Sequence, residues 1–143
     1  MVESQGLLEW YAVCTVVLFV KMVAIGIYQG YYRIGRGAFQ TPEDARWVGR
    51  QALDEELPEV RRGTKAWRND VENIPMFLIL GFVYMLLGAP ATLGAWLFGI
   101  FTIARILHTL FFLAALQPWR TLAYAVGLGA TLVLAAGVLV QVV

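Results

Sequence analysis

Four long apolar segments constrain this 143-residue chain more than any other feature of its sequence. A helix that crosses the hydrocarbon core of a bilayer needs about 20 consecutive, mainly apolar residues. The segments that meet this requirement span about 7–33, 65–87, 91–116 and 119–141. The sequence therefore predicts an all-α membrane protein, in which residues 1–143 form one transmembrane domain, a bundle of four helices.

Charged residues are scarce, and most of them fall between Arg33 and Glu72. They make up 15% of the sequence, against about 25% in soluble domains, which excludes a typical soluble enzyme. The net charge of +1 excludes a strongly basic nucleic-acid binder, so no nucleic-acid partner is expected. Cys14 is the single cysteine, and this excludes an intramolecular disulfide and a multi-cysteine metal site. No metal site is predicted.

The charge-rich loop at about 34–64 predicts the orientation of the chain. Cytoplasmic loops of membrane proteins are enriched in Lys and Arg, and the segments expected on the opposite side carry neither. We therefore expect a multi-pass integral protein of a bacterial inner membrane or the endoplasmic reticulum, with this loop and the active site facing the cytoplasm. Within the loop, Thr41 as N-cap and Pro42 at the first helical position predict a short helix to about Leu53.

Several polar residues lie inside the predicted helices, where ionisable groups are costly and face a bundle interior or a cavity. Arg68, Asn69 and Glu72 share one face of the second helix by their spacing. That face is either a solvated helix start with one ion pair or the wall of a polar pocket. Arg105 lies near the membrane midplane and needs an acidic partner, for which we predict Glu72. Lys21 lies at a similar depth and has the same need.

Two further residues each allow two interpretations. His108 lies one turn after Arg105, and it either bonds to a neighbouring helix or lines a pocket. It is the sole histidine, so it cannot form a multi-histidine metal site. Arg120 is either a snorkelling anchor at the membrane surface or a pocket residue.

Three motifs carry a resemblance to a known family. They are KAWRNDVENIP at 65–75, ARILHT at 104–109 and QPWR at 117–120. Together with PEDA at 42–45, they resemble the pattern of the membrane-associated proteins in eicosanoid and glutathione metabolism, the MAPEG family. The resemblance covers nearly the whole chain. Within the family, the sequence is similar to both microsomal glutathione transferases and microsomal prostaglandin E synthases.

The resemblance implies a fold, a cofactor and partners. It implies a homotrimer of four-helix subunits, with glutathione bound between neighbouring subunits at the cytoplasmic side. It also implies contact with membrane lipid and a lipophilic electrophile as second substrate. The implied function is a membrane-bound glutathione transferase, with added glutathione peroxidase activity. The alternatives are a glutathione-dependent isomerase like prostaglandin E synthase and a non-enzymatic lipid-binding family member.

The resemblance also implies roles for residues at matching positions. Arg120 would face the thiol of glutathione as the catalytic residue, with the hydroxyl of Thr121 beside it. Thr121 stands where the prostaglandin E synthases have serine, which argues against that isomerase activity. Lys65 stands where an arginine is common, which weakens bidentate carboxylate binding. The implied glutathione-binding residues are Arg33, Lys65, Arg68, Asn69, Glu72, Arg105, His108 and Tyr124.

Overall fold

The computed structural model describes residues 2–143, with side chains from Gln5 onward, and the regular structure of this part is helical. Its five helices are α1 (Val2–Arg36), α2 (Pro42–Trp47), α3 (Pro58–Leu86), α4 (Ala91–Leu113) and α5 (Trp119–Val142). Helix α1 packs against α3 and α4, while α3, α4 and α5 pack against one another. The four long helices therefore form one bundle.

Three helices are long and apolar enough to cross a membrane: Gln5–Arg36 within α1, Ala91–Leu113 and Trp119–Val142. Helix α3 has 29 residues, which corresponds to a length of about 43 Å at about 1.5 Å per residue. It is polar in its first half and apolar in its second. The predicted class, an all-helical protein with apolar membrane-length helices, is confirmed by these elements.

Short connections place the polar residues at one end of the bundle. Only 87–90 separate α3 from α4, and only 114–118 separate α4 from α5, so these three helices run antiparallel in turn. The start of α3, the end of α4 and the start of α5 consequently meet beside the end of α1. We call this the polar end and the half of the bundle next to it the polar half. The other half is the apolar half.

Aromatic side chains fill the interior between α3 and α4. The rings of Phe77 and Phe101 stack with centroids 3.6 Å apart, and Phe98 meets Phe77 edge-on at 5.9 Å. All three are fully buried. This packing fixes the rotation of α3 against α4, and with it the side chains that α3 directs inward nearer the polar end.

Some helix bounds differ from the predicted ones. Helix α3 begins at Pro58 rather than at about residue 65, and α2 ends at Trp47 rather than near Leu53. Pro58 is preorganised for the first position of a helix, and the acidic Glu59 in the first turn complements the helix dipole. The loop between α1 and α3 is therefore shorter than predicted, and α4 also ends earlier, at Leu113 rather than at residue 116.

Candidate functional site

Two partly buried asparagine amides bind the buried side chain of Arg105 in the polar half and form a network with it. Arg105 is 1% exposed, and its guanidinium donates from Nη1 to Oδ1 of Asn69 and from Nη2 to Oδ1 of Asn73, both at 3.0 Å. The Asn73 amide nitrogen in turn donates to the backbone carbonyl of Asn69 at 2.7 Å. A guanidinium can only donate, so both amide oxygens must face Arg105. The amide nitrogen of Asn69 is thereby oriented as a donor.

The acid beside Arg105 is Asp70, and the predicted pairing of Arg105 with Glu72 is wrong. Asp70 is fully buried and forms an ion pair with Lys21, whose side chain is 9% exposed. Glu72 instead accepts from Arg68 at 3.1 Å, and their side chains are 56% and 80% exposed. Asp70 is the acid that α3 directs into the bundle, while Glu72 lies on its outward side. The expectation that Lys21 needs a buried acid is met by Asp70.

The predicted common face of Arg68, Asn69 and Glu72 is divided in the structure. Arg68 and Glu72 pair on the exposed surface of α3, whereas the side chain of Asn69 reaches Arg105. The interpretation of one solvated ion pair holds for Arg68 and Glu72, although the helix itself starts earlier, at Pro58. Asn69 belongs to the interior.

A continuous series of side chains leads from the network to Arg120. The Arg105 guanidinium lies 5.3 Å from the ring centroid of Tyr124, and His108 lies 6.1 Å from the same ring. Phe112 contacts His108 at 5.7 Å between ring centroids, and the Arg120 guanidinium stacks over Phe112 at 4.6 Å. His108 is 3% exposed, and its Nδ1 has no hydrogen-bond partner among the described residues. The structure thus brings Arg105, His108, Tyr124 and Arg120 together.

Gln117 links the two predicted catalytic residues. A guanidinium can only donate, so the amide oxygen of Gln117 must face Arg120, from whose Nη2 and Nε it accepts at 2.6 and 3.1 Å. The amide nitrogen then donates to the hydroxyl oxygen of Thr121 at 3.0 Å. This arrangement leaves the hydroxyl hydrogen of Thr121 free to donate to another acceptor.

Lys65 and Arg120 meet in a cleft of about 450 Å³ at the polar end. We call it the cationic cleft; it is lined by Pro58, Arg61, Arg62, Lys65, Phe112 and Arg120. The sequence prediction missed Arg61 and Arg62, because it placed both in the loop. Pro58 is the signal that could have found them, since a helix that begins there puts both within one turn of Lys65.

Arg33 is not brought to the other predicted residues within this chain. It donates to Glu56 from Nε at 3.1 Å and also from Nη2, and it lines a separate cavity of about 350 Å³. One turn further along α1, Arg36 pairs with Glu59 at 2.8 Å. The pKa of Glu59 lies below its ordinary value, because the carboxylate accepts hydrogen bonds from its own backbone amide and from Arg36.

Comparison with known proteins agrees with the motif resemblance. The model of the MAPEG family matches residues 11–140. Human prostaglandin E synthase is 38% identical over 126 residues, covering 87% of this chain and 82% of that protein. Mouse prostaglandin E synthase is 39% identical over 119 residues, with 82% and 77% covered. Mouse microsomal glutathione S-transferase 1 is 35% identical over 143 residues, with 94% and 90% covered. The chain therefore belongs to the MAPEG family, as its motifs predict.

Proposed function

We propose that this protein is a membrane-bound glutathione transferase, with glutathione peroxidase activity as an extension of the same chemistry. The observation that carries the proposal is the continuous series from Arg120 through His108 and Tyr124 to Arg105 and Asn69. It lies at the polar end of a chain whose relatives include a microsomal glutathione S-transferase. The electrophile would be lipophilic and would reach the site from the membrane.

The thiol of this reaction has to come from a cosubstrate. Cys14 is the single cysteine of the sequence, and it is 3% exposed in the apolar half, away from Arg120. Glutathione supplies a free thiol with a pKa of about 8.5, which is only a few per cent ionised at neutral pH. The permanently charged guanidinium of Arg120 would favour the thiolate, and the free hydroxyl hydrogen of Thr121 would add a charge-assisted hydrogen bond.

The residues around this series fit the charges of glutathione, which carries two carboxylates and one ammonium group. The oriented amide nitrogen of Asn69 would donate to a carboxylate of glutathione, and the cations Lys65 and Arg33 would also bind a carboxylate. The acid Glu72 would bind the ammonium group. The buried Nδ1 of His108, which no described residue satisfies, is a further point of contact.

The distribution of these residues supports a site shared between subunits. Arg68 and Glu72 lie on the exposed side of α3, and Arg33 lies at a separate cavity. A ligand bound against Arg120 of one subunit would meet these three residues on a neighbour. We therefore propose a homotrimer of the kind that the family resemblance implies. We also propose that α3 is the fourth crossing and that the polar end faces the cytoplasm.

Replacement of the catalytic residue tests the proposal. Purified protein in detergent is titrated with glutathione, and thiolate formation is followed by ultraviolet absorbance beside conjugation of an aryl halide. Arg120→Ala should lose the thiolate signal and about 10²–10³-fold of turnover, as expected when a preorganised donor to a developing anion is removed. Calorimetry should still detect glutathione binding to this variant.

Arg50→Ala is the matched control, because it removes an arginine from the exposed loop between α2 and α3. It should bind glutathione and turn over like the wild type. Turnover of Arg120→Ala at the wild-type rate would contradict the role of Arg120. Failure of the wild type to bind glutathione would contradict the proposed function as a whole.

A second candidate is a glutathione-dependent isomerase that acts on a lipid endoperoxide. It is favoured by the 38% and 39% identity to the human and mouse prostaglandin E synthases. The same thiolate would serve both reactions, so Arg120→Ala does not separate them. Parallel assays of an endoperoxide and an aryl halide do so, since the faster substrate identifies the reaction that the site favours.

A further inference from the structure

Gln117 lies in the turn between α4 and α5, and its side chain contacts both Arg120 and Thr121. An amide accepts hydrogen bonds at its oxygen and donates them at its nitrogen, so one side chain can bond a cation and a hydroxyl oxygen together. Gln117 therefore fixes the guanidinium of Arg120 and the hydroxyl of Thr121 relative to each other.

The hydroxyl of Thr121 differs in its bonding from three other helical threonines. Thr15, Thr64 and Thr131 each donate their hydroxyl hydrogen to the backbone carbonyl four residues earlier, at 2.8 to 3.0 Å. A hydroxyl has one hydrogen, so a threonine bonded in this way cannot also donate to a ligand. Thr121 lies in the first turn of α5 and forms no such bond within the described part of the chain. Its oxygen accepts from Gln117 instead, and its hydrogen stays available.

The partner that holds Arg120 is neutral. The guanidinium lies 4.6 Å from the centroid of the Phe112 ring, and the Gln117 amide oxygen accepts from its Nη2 and Nε at 2.6 and 3.1 Å. Among the described residues, Arg120 has no carboxylate partner, whereas Arg68 is paired with Glu72. A carboxylate would offset the positive charge of the guanidinium, and an amide does not. The charge of Arg120 is thus held in place and left to act on another anion.

We propose that Gln117 is a positioning residue for the glutathione thiolate, because its amide holds Arg120 without neutralising it and directs the hydroxyl hydrogen of Thr121 towards the sulfur. This inference rests on the proposed function and adds a residue that acts through two neighbours without touching the sulfur. Hydrogen bonds from a cation and from a fixed hydroxyl to an anion are charge-assisted, and they are most effective when the donors are oriented in advance.

The test replaces Gln117 in the full-length protein, purified in detergent. Gln117 is an exposed turn residue, so its replacement should leave the fold intact; circular dichroism and gel filtration check this. The main measurement is the pH at which half of the bound glutathione is ionised, followed by thiolate absorbance. The kcat and KM for conjugation of an aryl halide are measured beside it. A contact that only supports the fold would not change the pH of half-ionisation.

Gln117→Glu should raise the pH of half-ionisation by about one unit, which lowers the amount of thiolate about tenfold at pH values well below it. A carboxylate can only accept, so Thr121 would donate to it rather than to the sulfur, and its charge would offset that of Arg120. Gln117→Met removes the amide without adding charge and should shift the pH less, in the same direction. We expect kcat to fall in both variants, while KM for glutathione changes little.

Gln141→Glu is the matched control, because it makes the same change of charge at the other end of α5. It should keep the wild-type pH of half-ionisation and the wild-type turnover. Thr121→Val then tests whether Gln117 acts through the hydroxyl. If it does, Gln117→Met should have a smaller effect in the Thr121→Val background than in the wild type.

Three results would overturn the proposal. The first is an unchanged pH of half-ionisation in Gln117→Glu while the wild type forms the thiolate, which leaves the proposed function standing. The second is full additivity of Gln117→Met and Thr121→Val, since the amide would then not act through the hydroxyl. The third is the absence of thiolate in the wild type, which would overturn the proposed function as well.

Discussion

Helix α3 packs in two different ways along its length, around Asp70 in the polar half and around Tyr84 in the apolar half. Asp70 is fully buried and is held by charge, since it pairs with Lys21 beside the guanidinium of Arg105. Tyr84 is also fully buried, but its position is fixed by close packing of its ring against Gly94 and Gly137. One helix therefore combines an electrostatic contact and a steric contact.

The two contacts differ in whether they leave polar groups that can act on a ligand. Close packing against glycine excludes other side chains and leaves no polar group to act on a ligand. A buried network of cations and amides is costly to form, because charges lose their hydration. In return, it orients donors such as the Asn69 amide nitrogen. The candidate site lies in the half of the bundle that carries this cost.

Removal of the buried acid should have the largest effect on stability. Asp70→Asn leaves Lys21 and Arg105 as buried cations with no acid beside them. Breaking a buried ion pair by removing one partner costs about 3–5 kcal/mol. We expect this loss in the free energy of unfolding, measured by denaturant titration in mixed micelles.

Glu72→Gln is the matched control for Asp70→Asn, because it removes an acid from the same helix. Its ion pair with Arg68 is exposed, so a change of well under about 1 kcal/mol is expected. Equal effects of the two substitutions would show that burial does not distinguish the two pairs. The double variant Lys21→Met/Asp70→Leu should be more stable than Asp70→Asn, because it leaves one buried cation rather than two.

Arg105→Lys tests the hydrogen-bond geometry of the polar half, because it keeps the positive charge at position 105 and removes the guanidinium. A lysine ammonium cannot reproduce the planar fork that bonds Asn69 and Asn73 together. We expect a loss of roughly 1.5–3 kcal/mol in the free energy of unfolding, the range for hydrogen bonds to charged groups. Combination with Asn73→Ala in a double-mutant cycle checks this, since additive effects would show that the two side chains do not interact.

Gly137→Ala is the corresponding test of the apolar half. A Cβ atom at this position would lie 2.7 Å from the Tyr84 ring. The ring cannot easily yield, because it is fully buried and its hydroxyl donates to the carbonyl of Pro90 at 2.9 Å. Overpacking of this kind costs about 1–3 kcal/mol.

Gly129→Ala is the control for Gly137→Ala on the same helix. A Cβ atom there would meet no other atom within 4 Å. This substitution should be neutral or stabilising by up to about 1 kcal/mol, because alanine favours helix more than glycine does. If Gly137→Ala were as stable as Gly129→Ala, the Tyr84 ring would not restrict the size of the side chain at position 137.

The sequence predicted the helices well because apolar length is a strong signal, but it predicted rotation about the helix axis poorly. Depth along the second helix predicts Glu72 as the partner of Arg105. Asp70 is two positions earlier, yet it faces the interior and Glu72 does not. Neighbouring residues differ by about 100° in direction around a helix. Tertiary packing, here the contacts of Phe77, decides which of them faces inward.

The cationic cleft was missed for a related reason. The sequence analysis places Glu59, Arg61 and Arg62 in a loop, although Pro58 starts a helix there. Arg61 and Arg62 then approach Arg120, which is distant in sequence, only because α3 and α5 start at the same end of the bundle. The structure brings His108, Tyr124 and Arg120 together. The family motifs assign all three to one site, because such motifs carry three-dimensional information that composition lacks.

The smallest expected effect concerns an exposed ion pair outside the bundle interior, and it is visible as a pH dependence. Glu59 has a pKa below 4.5 in the folded protein, owing to hydrogen bonds from its own backbone amide and from Arg36. A lowered folded-state pKa stabilises the protein at pH values above the unfolded pKa, and this stabilisation is lost as the pH falls through the folded-state value. Glu59→Gln should therefore unfold slightly more easily than the wild type at neutral pH. The difference should disappear as the pH is lowered below 4.5.

Glu55→Gln is the matched control for Glu59→Gln, because Glu55 is exposed and forms no ion pair within the described part of the chain. Glu55→Gln should leave the free energy of unfolding close to the wild-type value at neutral pH, because it removes no ion pair. Salt should also weaken the Glu59 effect, since exposed pairs are screened, while the buried pair of Asp70 and Lys21 should respond much less. Equal salt sensitivity of Glu59→Gln and Asp70→Asn would contradict the distinction between exposed and buried charge, because screening acts on groups that water and ions can reach.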